Sequence, residues 1–275
     1  MNIIIYILIF IIGTLFGSFF SLAVYRIPLK EDITHKHSFC PNCNHKLGFG
    51  DLIPIFSYIF LGGKCRYCKQ KIKPRYILLE TLSGLTFVLF AFSLNLNFYN
   101  ISIQEISTFI LGLLYFVGLF IIAGIDKEKR QIQTNVLIYG VIVELLYMIY
   151  LYTLEKINIY GYVIYVFIMT VLIAIDIMYF RKKAKSNYFI QVLILLSYIL
   201  TFCGITKTIT TIIFTVLVIV IRGIIDSIQK KFNKVRKDDE NNLIDYKSIP
   251  LGFFLCTSNI LVMIITNLLS YIIKV

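Results

Sequence analysis

Apolar stretches of about eighteen residues or more recur from one end of the chain to the other, and each is long enough as a helix to cross about 30 Å of hydrocarbon. Such runs leave little freedom: backbone groups inside a bilayer must be satisfied within the span, so each run is a helix. The composition agrees, with 58% hydrophobic and only 15% charged residues in 275, against about 25% charged in soluble domains. Eight spans are expected, near residues 2–25, 76–97, 104–125, 135–154, 160–180, 187–202, 208–221 and 250–273. The sixth and seventh are short and separated only by "CGITKT". The first run is too long for a signal-peptide core and has neither a basic leader nor a small-residue cleavage site, so it is expected to be retained. The fold class is an all-α polytopic membrane protein with one small insert between its first two spans.

The net charge of +12 does not signal nucleic acid, because the charges follow the spans. Connections 26–75, 126–134, 181–186 and 222–249 hold 24 of the 27 Lys and Arg residues, and only Lys156, Lys207 and Lys274 lie elsewhere. Positively charged loops stay in the cytoplasm, which puts the 26–75 insert inside and both termini outside. Basic residues next to anionic headgroups account for the high pI, with lipids as partners and no nucleic acid.

The insert contains "CPNC" (Cys40, Cys43) and, after 21 intervening residues, "CRYC" (Cys65, Cys68). Two C-x-x-C pairs at this separation suit a tetrahedral thiolate site of the zinc-ribbon kind, with zinc as a structural cofactor. Metal binding would supply much of the folding free energy of so small a unit. The alternative is two disulfides, which a reducing compartment disfavours. Four cysteines complete the coordination, so His35, His37 and His45 are expected at the surface, and Cys203 and Cys256 are expected to pack in the apolar spans.

The order of motifs then carries a resemblance. "GTLFGSFFSLAVYRIP" closes the first span, followed by "SFCPNCNHKL", "DLIPIFSYIFLGGKCRYCKQKI" and "RYILLETLSG". This series resembles the amino-terminal half of the bacterial type IV prepilin peptidases over about residues 10–85, at Gly17, Ser18, Phe19, Arg26, Pro28, Asp51, Ile53, Pro54, Ser57 and Glu80. The resemblance implies a bacterial inner-membrane enzyme with type IV prepilin or pseudopilin precursors as partners. It implies leader cleavage by two aspartates at the cytoplasmic membrane face. It also implies N-methylation from S-adenosylmethionine, linked to the insert. The expected division is residues 1–97, carrying the insert, and 98–275, a six-span peptidase-like region.

Two close carboxylates can share one proton, so that one acts as acid while the other activates water. Asp126, ending "FIIAGID", matches the first aspartate of the family, although Gln133 stands where the family has proline two residues before Asn135. Without the resemblance, Asp126 reads as an ordinary interfacial acid beside Lys127, Lys129 and Arg130. The family's second aspartate, in a G-x-G-D string before the sixth span, falls on Phe189, and its lysine falls on Gln191. "GFGD" at residues 48–51 spells that string but lies between the cysteine pairs, where Gly48 and Gly50 suit a turn. The remaining acids are Asp176, one turn inside the fifth span and weighed against pairing with Arg181 or Lys182, and Asp226, which reads as surface. The resulting expectation is a peptidase using Asp126 and Asp176. Its alternatives are a degenerate relative acting as a pilin-binding or assembly scaffold, and an unrelated membrane adaptor with a zinc ribbon.

Overall fold

A computed structural model describes residues 2–35, 37–96, 98–154, 159–183, 187–233 and 249–274. Eight α-helices run in order among the described residues: α1 (Asn2–Arg26), the short α2 (Phe56–Phe60), α3 (Arg75–Ser93), α4 (Ile103–Lys129), α5 (Thr134–Thr153), α6 (Ile159–Lys183), α7 (Tyr188–Asn233) and α8 (Leu251–Lys274). No strand is present among the described residues, where two isolated β-bridges are the only pairing of that kind. The all-helical fold with a small insert between the first two long helices is the one expected from the apolar runs.

Six helices among the described residues are long and apolar enough to cross a membrane, and the apolar segment Val163–Met178 lies within α6. One of the six covers Tyr188–Ile225, 38 residues, nearly twice the about 20 a crossing needs. It reverses direction at Gly204, whose backbone (φ 78°, ψ 171°) leaves the helical region. The contacts with α8 require this reversal. Tyr188 Oη accepts from the Gly252 N–H at 3.2 Å, and the Arg222 guanidinium lies 5.4 Å from the Phe254 ring. A straight helix would hold residues 188 and 222 about 50 Å apart, yet they meet α8 two positions apart. Asn259 of α8 touches both limbs, through Cys203 Sγ at 3.6 Å and Thr211 Oγ1 at 3.1 Å. The two short spans on either side of "CGITKT" are therefore two limbs of one hairpin.

The chain divides into two units, one of Met1–Ile125 with Ile264–Val275 and one of Asp126–Met263. In the first, α1 and α3 cross at small residues. A Cβ on Gly13 would lie 2.7 Å from the Gly84 Cα, and one on Gly17 would lie 2.6 Å from the Glu80 Cα and 2.7 Å from the Leu79 carbonyl. Gly13-x-x-x-Gly17 is the small-residue spacing that lets membrane helices approach closely. Ser83 Oγ donates to the Gly13 carbonyl at 2.6 Å across the same contact. Aromatic packing extends this core to α4, with Phe20 stacked on Phe120 at 5.4 Å and Phe90 edge-on to Phe116 at 4.9 Å. In the second unit, α5, α6 and α7 pack on one another around Met169, Leu195, Tyr198 and Ile199, all fully or almost fully buried.

Gly17 and Gly204 are predicted to fail in different ways. No atom lies within 4 Å of a Cβ placed on Gly204, so Gly204→Ala meets only backbone strain in a region that glycine alone enters easily. It should cost about 1–3 kcal/mol. Gly17→Ala meets backbone that cannot swing aside and should cost more. Thermal unfolding of the two variants in one detergent checks the order.

Candidate active site and metal centre

The insert is built from two copies of one knuckle. In the first, the Cys40 N–H donates to the His45 carbonyl at 3.0 Å, the Asn44 N–H donates to the Cys40 carbonyl at 2.8 Å, and Phe39 bridges Lys46. In the second, the Cys65 N–H donates to the Gln70 carbonyl at 2.9 Å, the Lys69 N–H donates to the Cys65 carbonyl at 3.0 Å, and Lys64 bridges Lys71. Asn44 and Lys69, each four residues after the leading cysteine, take left-handed backbone at φ 55° and 58°. The repeated turn aims both cysteine pairs at a common point. All four Sγ atoms lie within 4.8 Å of one another, and Cys40 Sγ is 3.8 Å from Cys68 Sγ.

This spacing fits a bound ion. Four thiolates about 2.3 Å from a tetrahedral zinc stand about 3.8 Å apart. The four cysteines are free thiols rather than two disulfides. Their electrostatics also favour a cation. The Gln70 N–H and the Asn42 amide pull the Cys68 thiol down to about 6. At Cys43 the His45 N–H works in the same direction, but desolvation and the neighbouring Cys40 and Cys68 thiols outweigh it and push the thiol up to about 11. Crowded thiols oppose one another's ionisation until a positive ion removes the conflict. The histidines stand apart from this set: His35 is paired with Asp32 at 3.0 Å, and the His45 ring packs on Tyr67 with centroids 3.5 Å apart.

Asp51 of "GFGD" is part of this scaffold. Phe49–Asp51 form a single 3-10 turn, as the glycines suggested, and the Asp51 carboxylate accepts from the Gly48 N–H at 3.2 Å and from Arg66 Nε at 2.6 Å. Desolvation pushes its carboxyl up, but the hydrogen bonds and charge of Arg66, with the Gly48 N–H, outweigh that and hold it below the usual carboxylate range. Asp51 thus ties the turn to the second knuckle.

Two further residues join the insert to the helices. Arg26, almost wholly buried at the end of α1, donates to the Asp32 and His37 carbonyls, both at 2.9 Å. Glu80 of α3 accepts from the Ile55 N–H at 2.7 Å and is also hydrogen-bonded by Ser18 of α1. Ile55 needs the anchor. At φ 63° and ψ −54° it sits at the centre of a γ-turn closed by the Phe56 N–H on the Pro54 carbonyl, a conformation strained for a β-branched residue.

In the second unit, Asp126 and Asp176 are both completely buried. Asp126 Oδ2 accepts from the Phe253 N–H at 2.9 Å and from Tyr188 Oη at 3.0 Å. Phe253 lies in the first turn of α8, where backbone N–H groups have no partner within the helix and favour an anion. Gly252 makes room for this carboxylate, since a Cβ there would lie 3.1 Å from Oδ2. Asp176 Oδ2 accepts from Thr134 Oγ1 at 2.8 Å and from Gln191 Nε2 at 3.2 Å. Tyr188 and Gln191 are three positions apart on α7 and so share a face, which brings the partners of the two aspartates onto one helical turn. Asp126 Oδ1, Asp176 Oδ1 and Gln191 Oε1 are buried without a hydrogen-bond partner.

Phe189 is 69% exposed and lies off this face. The side chains of Asp226, Arg181 and Lys182 lie outside the described set, as does the polar segment 234–248. Thr134, Tyr188 and Gln191 are contacts that the sequence alone did not identify as a group; the signal for them was the i, i+3 spacing at the start of α7. Glu144, completely buried on α5 beside Thr201 and Tyr198, was also missed, although an acid in the middle of an apolar run marked it. Cys256 is buried as expected, whereas Cys203 meets an amide.

Comparison with known proteins bears on the first unit above all. Residues 11–94 match the Bacterial Peptidase A24 N-terminal domain. The prepilin leader peptidase/N-methyltransferase of Vibrio cholerae is 34% identical over 146 residues, covering 50% of this chain and 54% of that protein. The protein of the same name from Klebsiella pneumoniae is 40% identical over 86 residues, covering 29% of this chain and 38% of its own length. That of Bacillus subtilis is 39% identical over 80 residues, covering 29% and 32%. The matched region spans about half of these relatives' length or less. No solved structure matches the chain. Residues 11–94, which carry the paired knuckles and the Glu80 anchor, are thus similar to the Bacterial Peptidase A24 N-terminal domain and to the amino-terminal part of proteins named prepilin leader peptidase/N-methyltransferase.

Proposed function

We propose that the chain is an intramembrane aspartyl endopeptidase. It removes leader peptides from type IV prepilin-like precursors at the cytoplasmic membrane face, with the basic loops inside and both termini outside. The observation that carries the reading is the pairing of Asp126 and Asp176, each fully buried, through partners on one turn of α7. Two buried carboxylates in an apolar bundle are costly unless they serve a purpose.

Hydrogen-bond bookkeeping supports a dyad. Among the buried acceptors that lack donors, three belong to the two aspartates and their shared turn of α7: Asp126 Oδ1, Asp176 Oδ1 and Gln191 Oε1. One water with two hydrogens and one shared carboxyl proton would supply three. In the proposed reaction one of the two carboxylates takes a proton from the attacking water while the other, protonated, gives its proton to the substrate carbonyl oxygen. Tyr188, Thr134 and Gln191 are positioning residues. Zinc on Cys40, Cys43, Cys65 and Cys68 is proposed as structural, and N-methylation from S-adenosylmethionine, in keeping with the relatives' names, is proposed for the amino-terminal unit.

The test is co-expression with a type IV prepilin-like precursor and mass measurement of leader removal. Asp126→Ala and Asp176→Ala should each lower cleavage by about 10²–10⁴-fold or more while leaving the protein folded. Asp226→Ala should leave cleavage unchanged. If the folded, zinc-loaded wild type cuts nothing, the dyad reading falls and a pilin-binding scaffold takes its place, the reading that Phe189 at the family's aspartate position favours. Cleavage surviving in Asp126→Ala would reject this pair of acids.

The metal proposal has its own readout. Purified protein should contain about one zinc per chain. Cys40→Ser or prolonged chelation should remove the zinc and open residues 38–72 to proteolysis while the spans stay protected. A metal-free protein whose insert resists protease equally well would overturn it.

A further inference from the structure

The insert carries an apolar ridge that the proposed chemistry does not use. Phe56, Ile59 and Phe60 stand at i, i+3 and i+4 of α2, on one face, and are 60%, 60% and 83% exposed. The Phe56 and Phe60 rings stack with centroids 6.4 Å apart. The 3-10 turn packed against α2 adds Phe49, 88% exposed, and the residues joining them add Leu52 and Ile53. Six large apolar side chains gathered on so small a unit mark an interaction surface.

Depth and charge identify what covers it. The Ile55 N–H, immediately before α2, is bonded to Glu80 at 2.7 Å, and Glu80 lies in the second turn of α3. The 19 residues of α3 span about 28 Å, close to the hydrocarbon thickness itself. The second turn of such a helix lies within the bilayer, so α2 is tied at membrane depth and not held out in water. Beyond it, Lys64, Lys69, Lys71 and Lys73 are all exposed, Arg66 is paired with Asp51, and residues 64–79 contain no acid. That charge complements an anionic lipid surface.

We propose that Phe49, Phe56, Ile59 and Phe60 insert into the headgroup–acyl boundary of an anionic leaflet, with the lysines of the second knuckle on the headgroups. The metal ribbon then lies against the membrane, its apolar ridge buried about 5–10 Å as in interfacial helices. The contact is independent of whether Asp126 and Asp176 cut peptides.

The chain contains no tryptophan, so Phe60→Trp gives a single reporter in the full-length protein. The variant would be reconstituted into phosphatidylcholine vesicles with and without phosphatidylglycerol. Expected are blue-shifted emission and quenching by lipids brominated near the headgroup end of the acyl chain, roughly twofold stronger than by lipids brominated near the chain terminus. Quenching should weaken without phosphatidylglycerol and in a Lys69→Gln/Lys71→Gln background. Phe49→Trp, on the neighbouring turn, should report the same depth and guards against a local defect at α2. Red-shifted emission that neither lipid quenches would overturn the proposal. So would blue-shifted emission insensitive to both lipids, which would mean that protein covers the ridge.

Discussion

A carboxylate inside an apolar bundle has to find its hydrogen-bond donors within the protein, and three such groups organise this chain. Glu80 takes the Ile55 N–H, Asp126 takes the Phe253 N–H, and Asp176 takes the Thr134 hydroxyl and the Gln191 amide. In the first two cases the donor is a backbone group that regular helix hydrogen bonding leaves over, at a γ-turn or in the first turn of α8. Each bond therefore satisfies two buried groups at once. Losing the carboxylate would leave a buried N–H unpaired, costing about 1–3 kcal/mol.

The insert solves the opposite problem. It has little apolar interior, and its large apolar side chains point outward. What holds it is a repeated turn that aims four thiols at one point, a link from Asp51 to Arg66 across the knuckles, and the anchors Arg26 and Glu80 at its base. Gly17 matters here indirectly. By letting α1 and α3 touch backbone to backbone, it brings Ser18 beside Glu80, so the crossing of two spans fixes the point to which the insert is tied.

Much of this was legible in the residues. The long apolar runs specified the helices, and two C-x-x-C pairs specified the thiol cluster. Where short-range pattern and three-dimensional role diverge, the sequence was silent. In the sequence "CGITKT" only separates two short spans, whereas one glycine in a backbone region unfavourable to other residues makes the reversal. "GFGD" matches an aspartyl-protease string by letter, but Asp51 meets Arg66, fifteen residues away, and no local pattern encodes that pairing. Glu80 is picked out in the sequence only as part of the motif series, and its role appears once the γ-turn at Ile55 is seen to need an acceptor.

The start of α7 shows why aligning letters was insufficient there. The resemblance read from the sequence puts a second aspartate at the position of Phe189, and by that reading alone the chain looks chemically deficient. On a helix, successive residues point about 100° apart. Tyr188 and Gln191 face the two buried aspartates, while Phe189 turns outward and is 69% exposed. An acid at position 189 of this helix, in this register, would not meet Asp126. The inward-facing acid belongs to α6, where Asp176 is held by a donor from α5 and a donor from α7. On the proposed reading, the dyad depends on which residues a helix turns toward its neighbours, and Asp176 meets that requirement without the relatives' string.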